Sequence, residues 1–158
     1  EVVVVGGGIA GLSAAKRIAQ GGGRVLVLEQ SGHWGGRTPV DHADGQARID
    51  AALAELRAMP NVTLRRNTMA TGLYDHGYLL AREALADHDP NAGLPRQRLW
   101  RIRAGRIVTA TGALERPLSF AGNDVPGVML AELVEPTATW PARQIRATGR
   151  PGRGWRRA

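Results

Sequence analysis

Val2-Val3-Val4-Val5-Gly6-Gly7-Gly8-Ile9-Ala10-Gly11, followed by Arg24-Val25-Leu26-Val27-Leu28-Glu29, decides how this chain folds. The four valines form a continuous β-branched run, the pattern of a strand buried on both faces of a parallel sheet. Three glycines break it. Ile9 to Gln20 then reads as a helix, with Ile9, Leu12, Ala15, Ile18 and Ala19 on one face. Gly21-Gly22-Gly23 ends the helix, and residues 24–29 form a second buried strand. Strand, helix and strand in so short a span make one βαβ unit, which requires parallel strands and a right-handed crossover.

Gly6-Gly7-Gly8-Ile9-Ala10-Gly11 has the spacing G-x-G-x-x-G in the context that gives the spacing meaning: a strand before, a helix after, and an acid at the end of the next strand. Gly6 permits the tight exit from the strand. Gly8 lets backbone N–H groups approach a pyrophosphate, and Gly11 lets the helix pack closely on the strand. The phosphates are expected at the helix N-terminus, where unpaired N–H groups and the helix dipole favour anions. Glu29 is expected to accept hydrogen bonds from ribose hydroxyls. Its carboxylate would repel a 2′-phosphate, so NAD or FAD is expected rather than NADP.

Further along, Gln46–Met59 reads as a helix with Ile49, Leu53 and Leu56 apolar, and 61–64 as a third parallel strand. Short alternating runs at Met69–Tyr74, Tyr78–Glu83 and Leu99–Arg103 are separated by the turn signals Asp75-His76-Gly77 and Ala104-Gly105. They predict a small antiparallel meander inserted over about 69–106. Ile107–Ala110 returns to the main sheet. The fold class is therefore α/β: a Rossmann-like parallel sheet with one G-x-G-x-x-G βαβ unit and a β-meander insertion, forming an incomplete domain.

The chain of 158 residues carries a formal net charge of +7, but unevenly. Residues 1–134 hold 15 Lys+Arg against 13 Asp+Glu, whereas 135–158 hold six Arg and one Glu. The near-neutral globular part argues against nucleic-acid binding. The alternation of Arg96, Arg98, Arg101 and Arg103 with Leu99, Trp100 and Ile102 reads as a half-exposed strand rather than a nucleic-acid patch. The lack of cysteine excludes a disulfide, a Cys-rich metal site and a redox Cys pair, and fits a cytoplasmic setting. No apolar run reaches membrane-spanning length. His33, His42, His76 and His88 show no metal-ligand spacing and read as loop or strand residues, and Asp41 and Asp44 as a solvated turn. No metal is expected.

Two further motifs resemble those of flavoproteins with two dinucleotide-binding domains. Gly35-Gly36-Arg37, six residues after Glu29, resembles the Gly-Gly-Arg that lies near the pyrophosphate in that group. Ile107-Val108-Thr109-Ala110-Thr111-Gly112-Ala113 resembles its Ala-Thr-Gly strand end. A closer resemblance is carried by Gly72-Leu73-Tyr74-Asp75-His76-Gly77-Tyr78, by 95–104, by Ala110-Thr111-Gly112-Ala113-Leu114-Glu115-Arg116-Pro117-Leu118, and by Asn123-Asp124 with 126–131. Together with the glycine motif, these resemble the alpha subunit of heterotetrameric sarcosine oxidase over roughly 1–134.

The resemblance implies oxidative demethylation of sarcosine to glycine and formaldehyde, with electrons passed to oxygen as peroxide. It implies an NAD site on this fold, amine oxidation at FAD on the beta subunit, and beta, gamma and delta subunits as partners. Carried residue by residue, Gly6, Gly8, Gly11, Glu29, Gly36, Arg37, Thr111 and Gly112 become dinucleotide contacts, and Ala70 falls near the adenine. None is a proton-transfer group or nucleophile, so no catalytic residue is expected.

The resemblance stops at Glu135. Back-translating Val134–Pro141 and reading one base out of step restores Arg-Thr-Tyr-Gly-Tyr-Leu-Ala, close to the family's continuation. Residues 135–158 are thus expected to be an out-of-frame, disordered tail. The chain, which opens at Glu1 without Met, is expected to be a fragment inactive alone. The competing expectations are an FAD-binding piece of another amine or opine oxidoreductase subunit, and a truncated remnant without function.

Overall fold

The computed structural model describes residues 1–87, 89, 93–114, 116, 118–126 and 128. Every helix and strand described lies within the compact unit Glu1–Gly112. The elements run β1 (Val2–Val5), α1 (Ile9–Gln20), β2 (Val25–Leu28), α2 (Thr38–Asp41), α3 (Gly45–Arg57), β3 (Val62–Arg65), β4 (Thr68–Tyr74), β5 (Tyr78–Ala84), β6 (Gln97–Arg103) and β7 (Arg106–Thr109). The βαβ unit, the parallel third strand, the meander and the return to the sheet thus stand where the sequence puts them, with ends shifted by a residue or two. The short α2 was missed. The segment read as a turn around Asp41 is one helical turn with Pro39 at its start, where proline's missing N–H costs no helical bond. Asp41 therefore closes a helix.

The parallel sheet has the order β3-β2-β1-β7, with Val4 opposite Val27 and Val108 in one register line. Successive side chains of β1 point to opposite faces. Val4 joins Leu12, Ala15, Val27, Ile49, Leu53 and Leu56 in a core under α1 and α3. Val3 joins Leu28, Leu79, Ala81 and Ala104 in a second core under the meander. The two cores make a three-layer sandwich of helices, parallel sheet and antiparallel meander. They also explain why β1 is apolar throughout: each face covers a core of its own.

Glycines close α1: the Gly21, Gly22 and Gly23 amides reach back to Arg17, Ala19 and Ile18, satisfying carbonyls that the helix leaves open. Asn61 ties this end down by donating from Nδ2 to the Ala19 and Gly23 carbonyls, at 2.9 and 2.8 Å. Lys16 pairs with Glu55 between α1 and α3. The meander has order β4-β5-β6 and carries a bulge between Ala70 and Gly72. Trp100 and Ile102 turn inward on β6 while Leu99, Arg101 and Arg103 are exposed, so the basic alternation is that of a half-buried strand.

His33, His42 and His76 are exposed, and His88 lies outside the described residues. Among the described residues no group of acidic, His or Cys side chains could hold a metal, and no helix is long and apolar enough to cross a membrane. The segment 135–158 lies outside the described residues.

Candidate functional site

The site grows from the exit of β1. Gly6 donates to the Leu28 carbonyl at 2.8 Å, and at φ +111 its backbone adopts a turn that L side chains rarely make. Any side chain there would also collide with the Ala110 carbonyl, 2.7 Å from its carbon. Ala110 in turn donates to the Val5 carbonyl at 2.7 Å, so the segment leading into Thr111 and Gly112 runs beside the bend. Gly11 packs against the Gly6 carbonyl, which is the close helix–strand approach its place in the motif requires.

Gly8 is different. A Cβ there would meet nothing nearer than the Gly35 carbonyl at 3.8 Å, so the missing side chain leaves open space rather than relieving a clash. Gly8 is also the N-cap of α1. No side chain caps this helix and no acid lies in its first turn. That leaves a positive dipole end open toward the space over Gly8.

The second wall is the loop after β2. Gly8 bridges to Gly35 in parallel fashion, and the Gly35 amide donates to the Gly7 carbonyl at 2.8 Å. Gly36, at φ +55, lies against the Gly8 backbone. The Gly-Gly-Arg segment is thereby joined to the glycine bend. The Arg37 guanidinium is held by Asp41 at 2.8 Å. Ala70 lies apart: it sits on β4, partly buried against the meander core, two residues beyond Thr68, whose amide donates to the Glu29 carbonyl at 2.8 Å.

Glu29 is only 7% exposed. Its Oε2 accepts from the Gly7 amide at 2.7 Å, and its Oε1 accepts from the Ser31 amide at 2.8 Å and from Ser31 Oγ at 2.7 Å. Charge-assisted bonds of this kind compensate the desolvation of the carboxylate and fix its direction. The acid therefore stands at the mouth of the bend. Three residues that hold it there escaped the sequence reading. Gly7 is the unassigned middle glycine, and a side chain on it would lie 2.5 Å from the Trp34 ring and 2.8 Å from Glu29 Oε2. Ser31 grips the carboxylate from two residues away. Trp34, buried at 7% exposure, backs Gly7. A serine two residues after the acid was the only signal available for any of them.

This arrangement presents a helix N-terminus open to an anion, a bend stripped of side chains, and a carboxylate aimed beside it. It fits a diphosphate joined to a ribose. The comparisons agree. The profile of the pyridine nucleotide-disulphide oxidoreductase family matches residues 1–147. Sarcosine oxidase subunit alpha of Corynebacterium sp. (strain P-1) is 43% identical over 143 residues, covering 85% of this chain and 15% of that protein. The subunit of the same name from Rhizobium meliloti (strain 1021) is 44% identical over 138 residues, covering 83% of this chain and 14% of that one. Among solved structures, L-proline dehydrogenase from P. horikoshii superposes with a TM-score of 0.58 at 27% identity, over 80% of this chain and 25% of its own. The chain thus spans about 15% of the length of the curated relatives it matches. The glycine bend, the sheet order and the extent of the family match together place this chain in the pyridine nucleotide-disulphide oxidoreductase family.

Proposed function

We propose that this chain is the dinucleotide-binding portion of a sarcosine-oxidase-like alpha subunit, taking NAD or FAD. The observation that carries the cofactor reading is the 2.7 Å bond from the Gly7 amide to Glu29, which pins the carboxylate beside the open space over Gly8. Gly6 makes the turn and Gly11 seats α1 against it, so that the helix N-terminus at Gly8 offers backbone N–H groups to the pyrophosphate. Gly36 and Arg37 close over it from the second loop, and Thr111 and Gly112 flank it from the strand end. Ala70 marks the adenine end, a placement supported by the backbone bond between Thr68 and Glu29. Glu29 accepts from the ribose hydroxyls on lone pairs left over from Gly7 and Ser31, and repels a 2′-phosphate. Bound here, the dinucleotide supplies redox chemistry. The chain's own residues bind and orient it and move no proton.

The whole-protein reading rests on 43% and 44% identity to two sarcosine oxidase alpha subunits over most of this chain. On that reading the complete assembly works in the cytoplasm, with beta, gamma and delta subunits, and oxidatively demethylates sarcosine to glycine. The likeness to an L-proline dehydrogenase favours a broader second reading, in which the assembly oxidises another secondary amine. Thermal unfolding of the 158-residue chain with NAD, FAD and NADP tests the cofactor reading. A ligand present at a hundredfold excess over its Kd stabilises by about 2.7 kcal/mol. NAD or FAD should raise Tm and NADP should not. No rise with either NAD or FAD refutes the assignment. Purified complex assayed against sarcosine and proline separates the two substrate readings.

A further inference from the structure

On the face of the parallel sheet opposite α1, a cavity of about 240 Å³ opens between β2, β3 and β6. Leu26, Leu28, Ile102 and Trp100 form its apolar part, and Thr63 and Arg65 edge it from β3. We propose that it is a second ligand site, separate from the glycine bend, for a small apolar monocarboxylate.

The charge arrangement selects that chemistry. Two guanidinium groups lie near the Trp100 ring, Arg65 at 5.1 Å and Arg98 at 5.5 Å from its centroid. Glu83, 7% exposed, is the acid beside them. Its Oε2 is taken by Trp100 Nε1 at 2.7 Å and by Arg98 at 3.4 Å. Its Oε1 stands 3.8 Å from Arg65, beyond hydrogen-bond reach. Two cations against one anion leave the cluster with one positive charge in excess. The Arg65 guanidinium carries five N–H donors, and it meets Glu83 at ion-pair distance rather than through a hydrogen bond. Among the described residues they donate to no hydrogen bond. A forked set of donors at the rim of an apolar slot matches a carboxylate with an apolar body. A cavity of about 150 Å³ takes benzene, so one of about 240 Å³ has room for a ring that carries a carboxylate, as in benzoate.

The test titrates the full 158-residue chain with benzoate and with its neutral isostere benzamide, following the Trp100 indole N–H in two-dimensional ¹H–¹⁵N spectra. Trp100→Phe assigns that signal. No dinucleotide is present, so the outcome is independent of the cofactor reading. Benzoate should shift the signal saturably with a Kd on the order of 1 mM. Benzamide should bind about tenfold more weakly or not at all, and Arg65→Gln should weaken benzoate about tenfold. Arg65→Lys keeps the charge but loses the fork and should fall between, and it carries the comparison if Arg65→Gln does not fold. An unmoved Trp100 signal, equal binding of benzamide, or undiminished benzoate binding in the folded Arg65 variants would overturn the proposal.

Discussion

Replacing Gly11 with alanine sets two physical effects against each other. Gly11 is the third residue of α1, where alanine is favoured by about 1 kcal/mol on helix propensity alone. The packing argues the other way. The new methyl would lie 3.0 Å from the Gly6 carbonyl carbon, closer still to its oxygen, and 3.4 Å from Ala110 Cβ. Relief requires α1 to move off β1 by about 1 Å, and overpacking of this kind costs about 1–3 kcal/mol. The upper end applies because the opposing atoms are backbone, in a bend anchored by the 2.8 Å bond from Gly6 to Leu28. Subtracting the propensity gain leaves a net loss of about 2 kcal/mol, which for a chain of this size lowers Tm by about 4–8 °C. Urea and thermal unfolding of the two proteins, followed by far-UV circular dichroism, measure it. A Gly11→Ala chain as stable as the parent, or more stable, would refute the tight seating of α1 on the bend.

Two other substitutions probe the surrounding network. Glu29→Gln leaves one amide oxygen for the donors of Gly7 and Ser31 and turns an NH₂ group against one of them; we expect about 1–3 kcal/mol lost in urea unfolding, and weaker discrimination against NADP in thermal-shift titrations. Asn61→Ala removes both bonds by which the residue before β3 holds the end of α1 and the glycine turn after it, and should cost about 1–2 kcal/mol in urea unfolding, with dinucleotide-induced stabilisation unchanged.

The sequence discloses this fold where a residue's neighbours along the chain determine its role. The valine run, the helix between two glycine clusters and the alternation at 97–103 all carry a period that backbone geometry imposes, and all three elements formed. The Gly-Gly-Arg loop was legible only through its resemblance to the flavoprotein motif, and the structure bridges its Gly35 to Gly8. The seating of Glu29 was not legible, since its main donor, Gly7, lies 22 residues away and offers only a backbone N–H, which any residue type but proline would supply. Trp34 gave no signal because a lone aromatic in a loop has no period. The face of the sheet that the meander covers was also hidden: alternation in the strands shows that one side is buried but not against what. That missing information is where the Arg65–Trp100 cavity arises.

Dinucleotide binding as proposed requires the space over Gly8 to take a ligand. Gly8 has an extended backbone, φ −74 and ψ 177, which alanine adopts without strain, and a Cβ there meets no protein atom nearer than 3.8 Å. Calorimetric titration of the parent and Gly8→Ala chains with NAD and with FAD, alongside their Tm values, is the direct measurement. Gly8→Ala should unfold at the parent's temperature or slightly above, with a gain of up to about 1 kcal/mol from the stiffer unfolded chain, and should lose dinucleotide binding. Binding undiminished in a stable Gly8→Ala chain would contradict that requirement.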